Sequence, residues 1–342
     1  MPREQRHAWA PFLLPLLLGS VVVLMTAALF IGSANLAPAK VLASLSHPWG
    51  RQPSADATAQ IVLFIRLPRI LLAVAVGAGM GLAGLASQTL FRNTLASPYV
   101  LGVANGSAVG AVAAMLLVGR AWGYGMVPAM SVCGGLAVTA VVFKMAQKSS
   151  QFGHSLLLAG IALSAFCSAL TAAALYLAGE RLETLVFWLM GGFWQAGWRD
   201  VLLVAPATVA AVVTLLLLAP AMNVALVGQR SAHDLGVNVR RLQTLLLVVI
   251  SLATAVAVAA TGVIGFVGLI VPHLLRLLCG ADHRRLVPAA AAGGAMLLLA
   301  ADTLARTVAS PAEVPVGIVT ALVGAPVFLW LLRRRSGSEG WT

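Results

Sequence analysis

The run ILLAVAVGAGMGLAGLASQTLF, residues 70–91, carries no charged side chain over 22 positions. A helix rises about 1.5 Å per residue, so about 20 apolar residues cross the ~30 Å hydrocarbon core of a bilayer. The hydrophobicity is continuous rather than alternating, which suits a membrane helix and not a strand of an outer-membrane barrel. Nine further runs of this kind lie at roughly 11–31, 98–119, 125–143, 155–178, 201–221, 244–262, 263–280, 287–305 and 314–332. The whole chain of 342 residues is 60% hydrophobic and only 9% charged, where a soluble domain devotes about a quarter of its residues to charge. The expectation is an all-α integral membrane protein of about ten transmembrane helices, forming a single transmembrane domain over 1–342.

Orientation follows from the basic residues, which collect on the cytoplasmic side of a membrane. With the N-terminus inside and ten crossings, fourteen of the 22 lysines and arginines fall in inner segments, among them Arg92, Lys144, Arg230, Arg240, Arg241, Arg284 and Arg333. Both termini are then cytoplasmic. The net charge of +12 reads as a topology signal and an attraction to anionic lipid, not as nucleic-acid binding. The basic opening MPREQRHAWAPFLLPLLLG has the look of a secretory signal, but its apolar stretch continues to Ile31 without a small-residue cleavage site. It is retained as the first span.

The connections are short. Segment 32–65 is rich in turn formers and is expected as an outer loop. Segment 180–200, ERLETLVFWLMGGFWQAGWRD, is too interrupted for a span and carries Trp188, Trp194 and Trp198. Tryptophan favours the membrane interface, so short helices at the outer surface are expected there. Gly77 and Gly81, and Gly102, Gly106 and Gly110, recur every four residues. Such faces let helix backbones approach closely, here within the subunit rather than between subunits. Cys133, Cys167 and Cys279 lie in apolar spans at unrelated spacings and suggest neither disulfides nor a metal cluster.

Gradient-driven carriers place ionisable groups near the bilayer midplane. All ten acids here fall in loops or near span ends, Asp302 coming closest to an exception. None of the three lysines, Lys40, Lys144 and Lys148, follows a glycine, so no phosphate-binding GK[ST] loop exists. No paired His/Glu or Ser/His set at membrane depth supports an enzyme, and His273 in VPHLLR has no ligand partners at metal-site spacing. An ATP-driven device would need its ATPase on another chain and a cytoplasmic surface to receive it. QRSAHDLGVNVRR, 229–241, is placed to be that surface: Ser231 caps a short helix, Gly236 ends it, and Asn238 leads into the next span.

Several stretches, in one register, resemble a known family. They are RLPRILLAVAVGAGMGLAGLASQTLFRN at 66–93, SPYVLGVANGSAVGA at 97–111, LLLAGIAL at 156–163, HDLGVNVRR at 233–241, GVIGFVGLIVPHLLRLLCGADHRRL at 262–286, and ADTLART with PAEVPVGIVTALVGAPVFLWLLRRR within 301–335. The chain resembles the permease subunits of bacterial ATP-binding-cassette importers for iron complexes, haem and cobalamin. The resemblance implies a homodimer in the bacterial cytoplasmic membrane, two cytoplasmic ATPase subunits holding ATP and Mg, and a periplasmic or lipid-anchored binding protein. No cofactor and no catalytic residue belong to this chain. A ferric siderophore is the first expected cargo, with haem and cobalamin next.

By the same resemblance, Ser231, His233, Asp234, Leu235, Gly236 and Val237 form the knob coupled to the ATPase, within a segment of about 223–241. Arg66, Arg69 and Arg306 form an outer rim that meets acids of the binding protein. Asn93, Thr94 and Leu95, with His154 and Ser155, form a cytoplasmic gate. Relatives commonly have proline at Thr94, an acid at Ser97 and glutamate at Gln229, so gate and docking details depart from the family pattern here.

Overall fold

The computed structural model describes residues 10–32, 36–45, 56–118, 125–149, 151–228, 232 and 234–336. Its elements, in chain order, are α1 (Ala10–Phe30), α2 (Pro38–Leu45), α3 (Ala57–Leu90), α4 (Val103–Ala113), α5 (Met126–Ala146), α6 (Phe152–Tyr176), α7 (Leu182–Leu189), α8 (Trp198–Ala225), α9 (Val239–Thr261), α10 (Val267–Cys279), α11 (His283–Thr307) and α12 (Val316–Ser336). The described residues contain no strand. Seven helices, α1, α3, α5, α6, α8, α9 and α11, are long and apolar enough to cross a membrane. Shorter apolar helices fill the remaining three runs at Val103–Leu117, Val267–Cys279 and Val316–Leu331.

α3 is the axis of the molecule, packed by α8, α9, α10 and α11. α4, α5 and α6 form a second group, and α9 joins the two groups by touching α3 and α8 on one side and α4 and α5 on the other. The predicted small-residue faces lie inside the subunit. A Cβ at Gly77 or Gly81 would land on the carbonyls of Gly294 and Ala290 in α11, and one at Gly106 would sit 2.6 Å from the Gly134 carbonyl of α5. These helices therefore touch backbone to backbone, which is how association is achieved where lipid removes the hydrophobic drive between helices.

Three boundaries differ from expectation for local reasons. The second half of the expected 32–65 loop is helical: α3 begins at Ala57, capped by Asp56, and passes through a π-helical turn at Ile61–Arg66. Within that turn Leu67 N–H bonds Val62 O, so the next acceptor in the ladder is Leu63 O and its donor would be Pro68, which has none. The indole N–H of Trp198 donates to Leu63 O instead, at 3.0 Å. The run 98–119 opens with a 3-10 turn, Pro98–Leu101, and breaks at Gly102, whose φ of 77° no side chain adopts cheaply. The run 263–280 is helical only from Val267, since 262–265 is irregular and Phe266 is left-handed. The expected surface segment 180–200 contains α7 after a 3-10 turn at Gly179–Arg181.

Candidate functional site

The expected site residues gather at two ends of the bundle. At one end α1 finishes, α3 begins and α11 finishes, and there the three expected rim arginines converge. Arg69 Nε and Nη2 donate to Asp302 at 2.8–3.1 Å, and its Nη1 reaches Glu313 at 2.9 Å. Arg306 Nε lies 3.3 Å from the other Asp302 oxygen. Arg66 Nη1 donates to Leu29 O at 2.6 Å, meeting the unsatisfied carbonyls that end α1.

All three arginines are buried, and Asp302 is 0% exposed. The expected basic rim is thus buried, with Arg69 and Arg306 packed on two carboxylates and Arg66 on the carbonyls that end α1. An isolated charge cannot be left in such a place, so the cluster folds with its partners. Asp302 is the one acid set deep in a helix among the described residues, and its two arginines neutralise it, so it offers no free carboxylate to a gradient carrier.

At the opposite end a cleft of about 1480 Å³ opens between the end of α3, the start of α6 and the segment leading into α9. Asn93 and Leu95 of the expected gate line it together with His154, and so do Asp234, Gly236 and Val237 of the expected knob. The gate turn is built by the end of α3: Phe91, Arg92 and Asn93 N–H bond Ser87, Thr89 and Gln88 carbonyls. That pairing is a Schellman closure with Arg92, at φ 50°, where glycine is usual. Asn93 Oδ1 then accepts from Leu95 N–H at 2.9 Å, fixing the turn through a side chain.

Ser155 Oγ donates to Ser149 Oγ at 2.7 Å and tethers the start of α6. In the knob, Val237 N–H bonds Ala232 O, Ala232 is buried, and Leu235 stands 68% exposed. Gly236, at φ 81°, reverses the chain there. Ser231, His233 and Gln229 lie outside the described residues.

A third cluster sits at this same end and was not foreseen. His283, fully buried at the start of α11, places Nδ1 2.8 Å from Asn223 Oδ1 near the end of α8, and Nε2 2.9 Å from Thr89 Oγ1 near the end of α3. Asn223 Nδ2 donates to Asp282 Oδ1 at 2.6 Å, and Asp282 also caps α11 through Arg284 N–H. The Asn223 amide, and after it the Arg284 N–H, hold the Asp282 carboxyl below the usual carboxylate range. The signal in the sequence was GADHRRL, read there only as part of a family pattern. Its cap was legible; its partners lie about 60 and 194 residues away.

His273, which tempts as a metal ligand, is buried in α10, and no group of three metal-ligating side chains occurs among the described residues. Trp188 and Trp194 line a smaller cleft of about 310 Å³ with Phe187 and Glu183, the Phe187 and Trp194 rings 5.0 Å apart.

Glycine-paired apolar spans and a cleft at one end, lined by the turn after α3 and the segment before α9, are the build of a polytopic membrane protein. The FecCD transport family model matches residues 20–334, and the chain belongs to that family. It is 41% identical over 341 residues to the hemin transport system permease protein HmuU of Yersinia pestis, covering 95% of this chain and 98% of the relative. It is 45% identical over 283 residues to the cobalamin import system permease protein BtuC of Halobacterium salinarum, covering 81% and 75%. A solved structure described as an inward-facing conformation of an ABC transporter assigned to the metal-chelate type superposes with a TM-score of 0.83 at 34% identity, covering 95% of this chain and 99% of that one. The protein is therefore a permease subunit of an ABC transporter and not an enzyme; ATP hydrolysis belongs to a separate subunit.

Proposed function

We propose that the chain is the permease of an ATP-driven importer of metal chelates, working as a homodimer of ten-span subunits with both termini in the cytoplasm. The observation that carries the reading is the cleft, which sets Asn93, Leu95 and His154 opposite Asp234, Gly236 and Val237. A segment moved by an ATPase and a turn that closes a path need to share one end of the bundle, and the excess of basic residues supports reading that end as the inner one. Thr94 and Ser155 complete the gate, Leu235 is the knob's exposed tip, and Ser231 and His233 share its coupling role. The open cleft agrees with an inward-facing state.

At the outer end Arg66, Arg69 and Arg306 outnumber Asp302 and Glu313 by one charge. That surplus is the determinant offered to acids of a binding protein, and salt weakens such attraction. The cargo first expected was a ferric siderophore. A relative that matches nearly the full length of both chains is named for hemin, which moves haem ahead, with ferric siderophore and cobalamin behind it.

The test is uptake into proteoliposomes holding this chain and its cognate ATPase, with the cognate binding protein loaded in turn with haem, ferric siderophore or cobalamin. ATP-dependent accumulation of haem alone is the expected result. Accumulation of another of the three replaces the cargo and keeps the importer. No accumulation of any, from an assembled complex with active ATPase, overturns the import reading.

A further inference from the structure

His283 joins two elements that the functional reading needs to move together. Asn223 lies three residues before α8 gives way at Leu226 to the segment that carries Asp234 to Val237. Thr89 lies four residues before Asn93 of the gate turn. Between them stands one buried imidazole, carried on a third helix, α11.

The chemistry of each contact is fixed by its partners. Asp282 Oδ1 only accepts, so the Asn223 atom 2.6 Å from it is the amide nitrogen, and Asn223 Oδ1 turns towards His283. That oxygen only accepts, and it receives both the His283 backbone N–H, at 2.8 Å, and Nδ1–H, also at 2.8 Å. A neutral imidazole with its proton on Nδ1 has a bare Nε2, which accepts the Thr89 hydroxyl at 2.9 Å. The Thr89 hydroxyl also lies 2.9 Å from Leu85 O, the acceptor it would return to if Nε2 were withdrawn. Two arms of one rigid ring thus tie the end of α8 to the end of α3, inside protein where polar contacts are strong and losing one is costly.

We propose that His283 is a positioning residue that transmits displacement of the end of α8 to the 93–95 turn, through Asn223 on one side and Thr89 on the other. The geometric link stands on the contacts alone; its role in transport rests on the function proposed above. A ring reports position better than a chain of single bonds, because both nitrogens move as one body. Removing either arm leaves each helix end folded, since Asp282 still caps α11 and the Schellman closure still ends α3, but their movements become independent.

The two arms can be cut separately. H283N keeps an amide near the Nδ1 position and reaches only Asn223; H283Q keeps one near Nε2 and reaches only Thr89; H283A reaches neither. The first readout needs no transport. The full chain, with Cys133 replaced by alanine, carries spin labels through L95C and L235C, is diluted with unlabelled chain so that each pair is read within one subunit, and sits in nanodiscs. The 95-to-235 distance distribution is narrow with His283 and broad in all three variants. A distribution as narrow in H283A as in the parent overturns the link.

The second readout is cargo taken up per ATP hydrolysed in the reconstituted complex. It falls about fivefold or more in H283N and H283Q, the lower end of ordinary coupling energies, beyond whatever melting temperature the lost contact costs. A purely structural histidine lowers melting temperature and leaves the ratio unchanged, and that result overturns the transmitting role. If distances broaden as expected while the parent complex imports nothing, the link holds and the import reading alone fails.

Discussion

Asp302 accepts from Arg69 and faces Arg306, so removing its charge takes the ion-pair partner from the buried Arg306 guanidinium and leaves Arg69 with Glu313 alone. Breaking a buried ion pair from one side costs about 3–5 kcal/mol, because the remaining charge has lost its partner and stays out of water. D302N in detergent micelles is expected to lose that much unfolding free energy, read by denaturant titration. E313Q is expected to lose less, since Glu313 is 28% exposed at its side chain and solvent screens what remains. A D302N variant as stable as the parent would show that the cluster contributes nothing.

Asp282 makes a second prediction at this scale. Its folded pKa is depressed, so its contribution is present above the unfolded carboxylate value near 4 and is lost as pH falls through the folded value. The melting-temperature gap between parent and D282N should be open at pH 7 and close below about pH 4. Neither pairing was legible beforehand. The acids could be sorted as terminal or central from the apolar runs, but Arg69 and Asp302 are 233 residues apart and nothing local marks them as partners.

Helices were the legible element because their signal is local: a run of apolar residues of the right length reads the same wherever it packs. Where the runs misled, the cause was equally local but finer than hydropathy. Gly102 and Phe266 interrupt runs that composition alone would continue, and the π turn before Pro68 extends α3 into what looked like a loop. The end of α3 offers a test of element closure. Arg92 holds a φ of 50° where a side chain pays roughly 1–2 kcal/mol. R92G should therefore raise stability by up to about 1 kcal/mol, net of the chain entropy glycine adds to the unfolded state, measured as an upward shift in melting temperature. The opposite sign is expected where α3 meets α10. A Cβ at Gly84 would fall on the Gly268 carbonyl, backbone against backbone with no side chain to yield. G84A should cost about 1–3 kcal/mol or more, as overpacking of a close interface does. Unchanged thermal stability in G84A would mean that α3 and α10 can separate freely at this crossing.

The whole molecule sets two chemically distinct ends on one buried axis. At the cleft end Leu235 stands exposed; at the arginine end the charges are buried and paired. The residue types of the arginine end were legible, and their burial was not, because hydropathy counts arginines near a span end as solvent- or lipid-facing. Burial changes which substitution tests docking. Charge reversal at Arg66 would damage the junction with α1, where it serves the Leu29 carbonyl. Arg306 is the better probe. Its Nε and Nη2 make no hydrogen bond among the described residues, and Asp302 keeps Arg69 when Arg306 is neutralised. R306Q therefore removes the surplus positive charge while the remaining pairs stay matched. Binding of the cognate binding protein to the reconstituted complex should weaken in R306Q at low ionic strength, and the two affinities should converge as salt shortens the Debye length from ~30 Å at 0.01 M to ~3 Å at 1 M. Titrations at several salt concentrations measure this directly. Equal affinity for parent and R306Q at low salt would remove electrostatic docking from this end and leave the arginine cluster as an internal brace between α3 and α11.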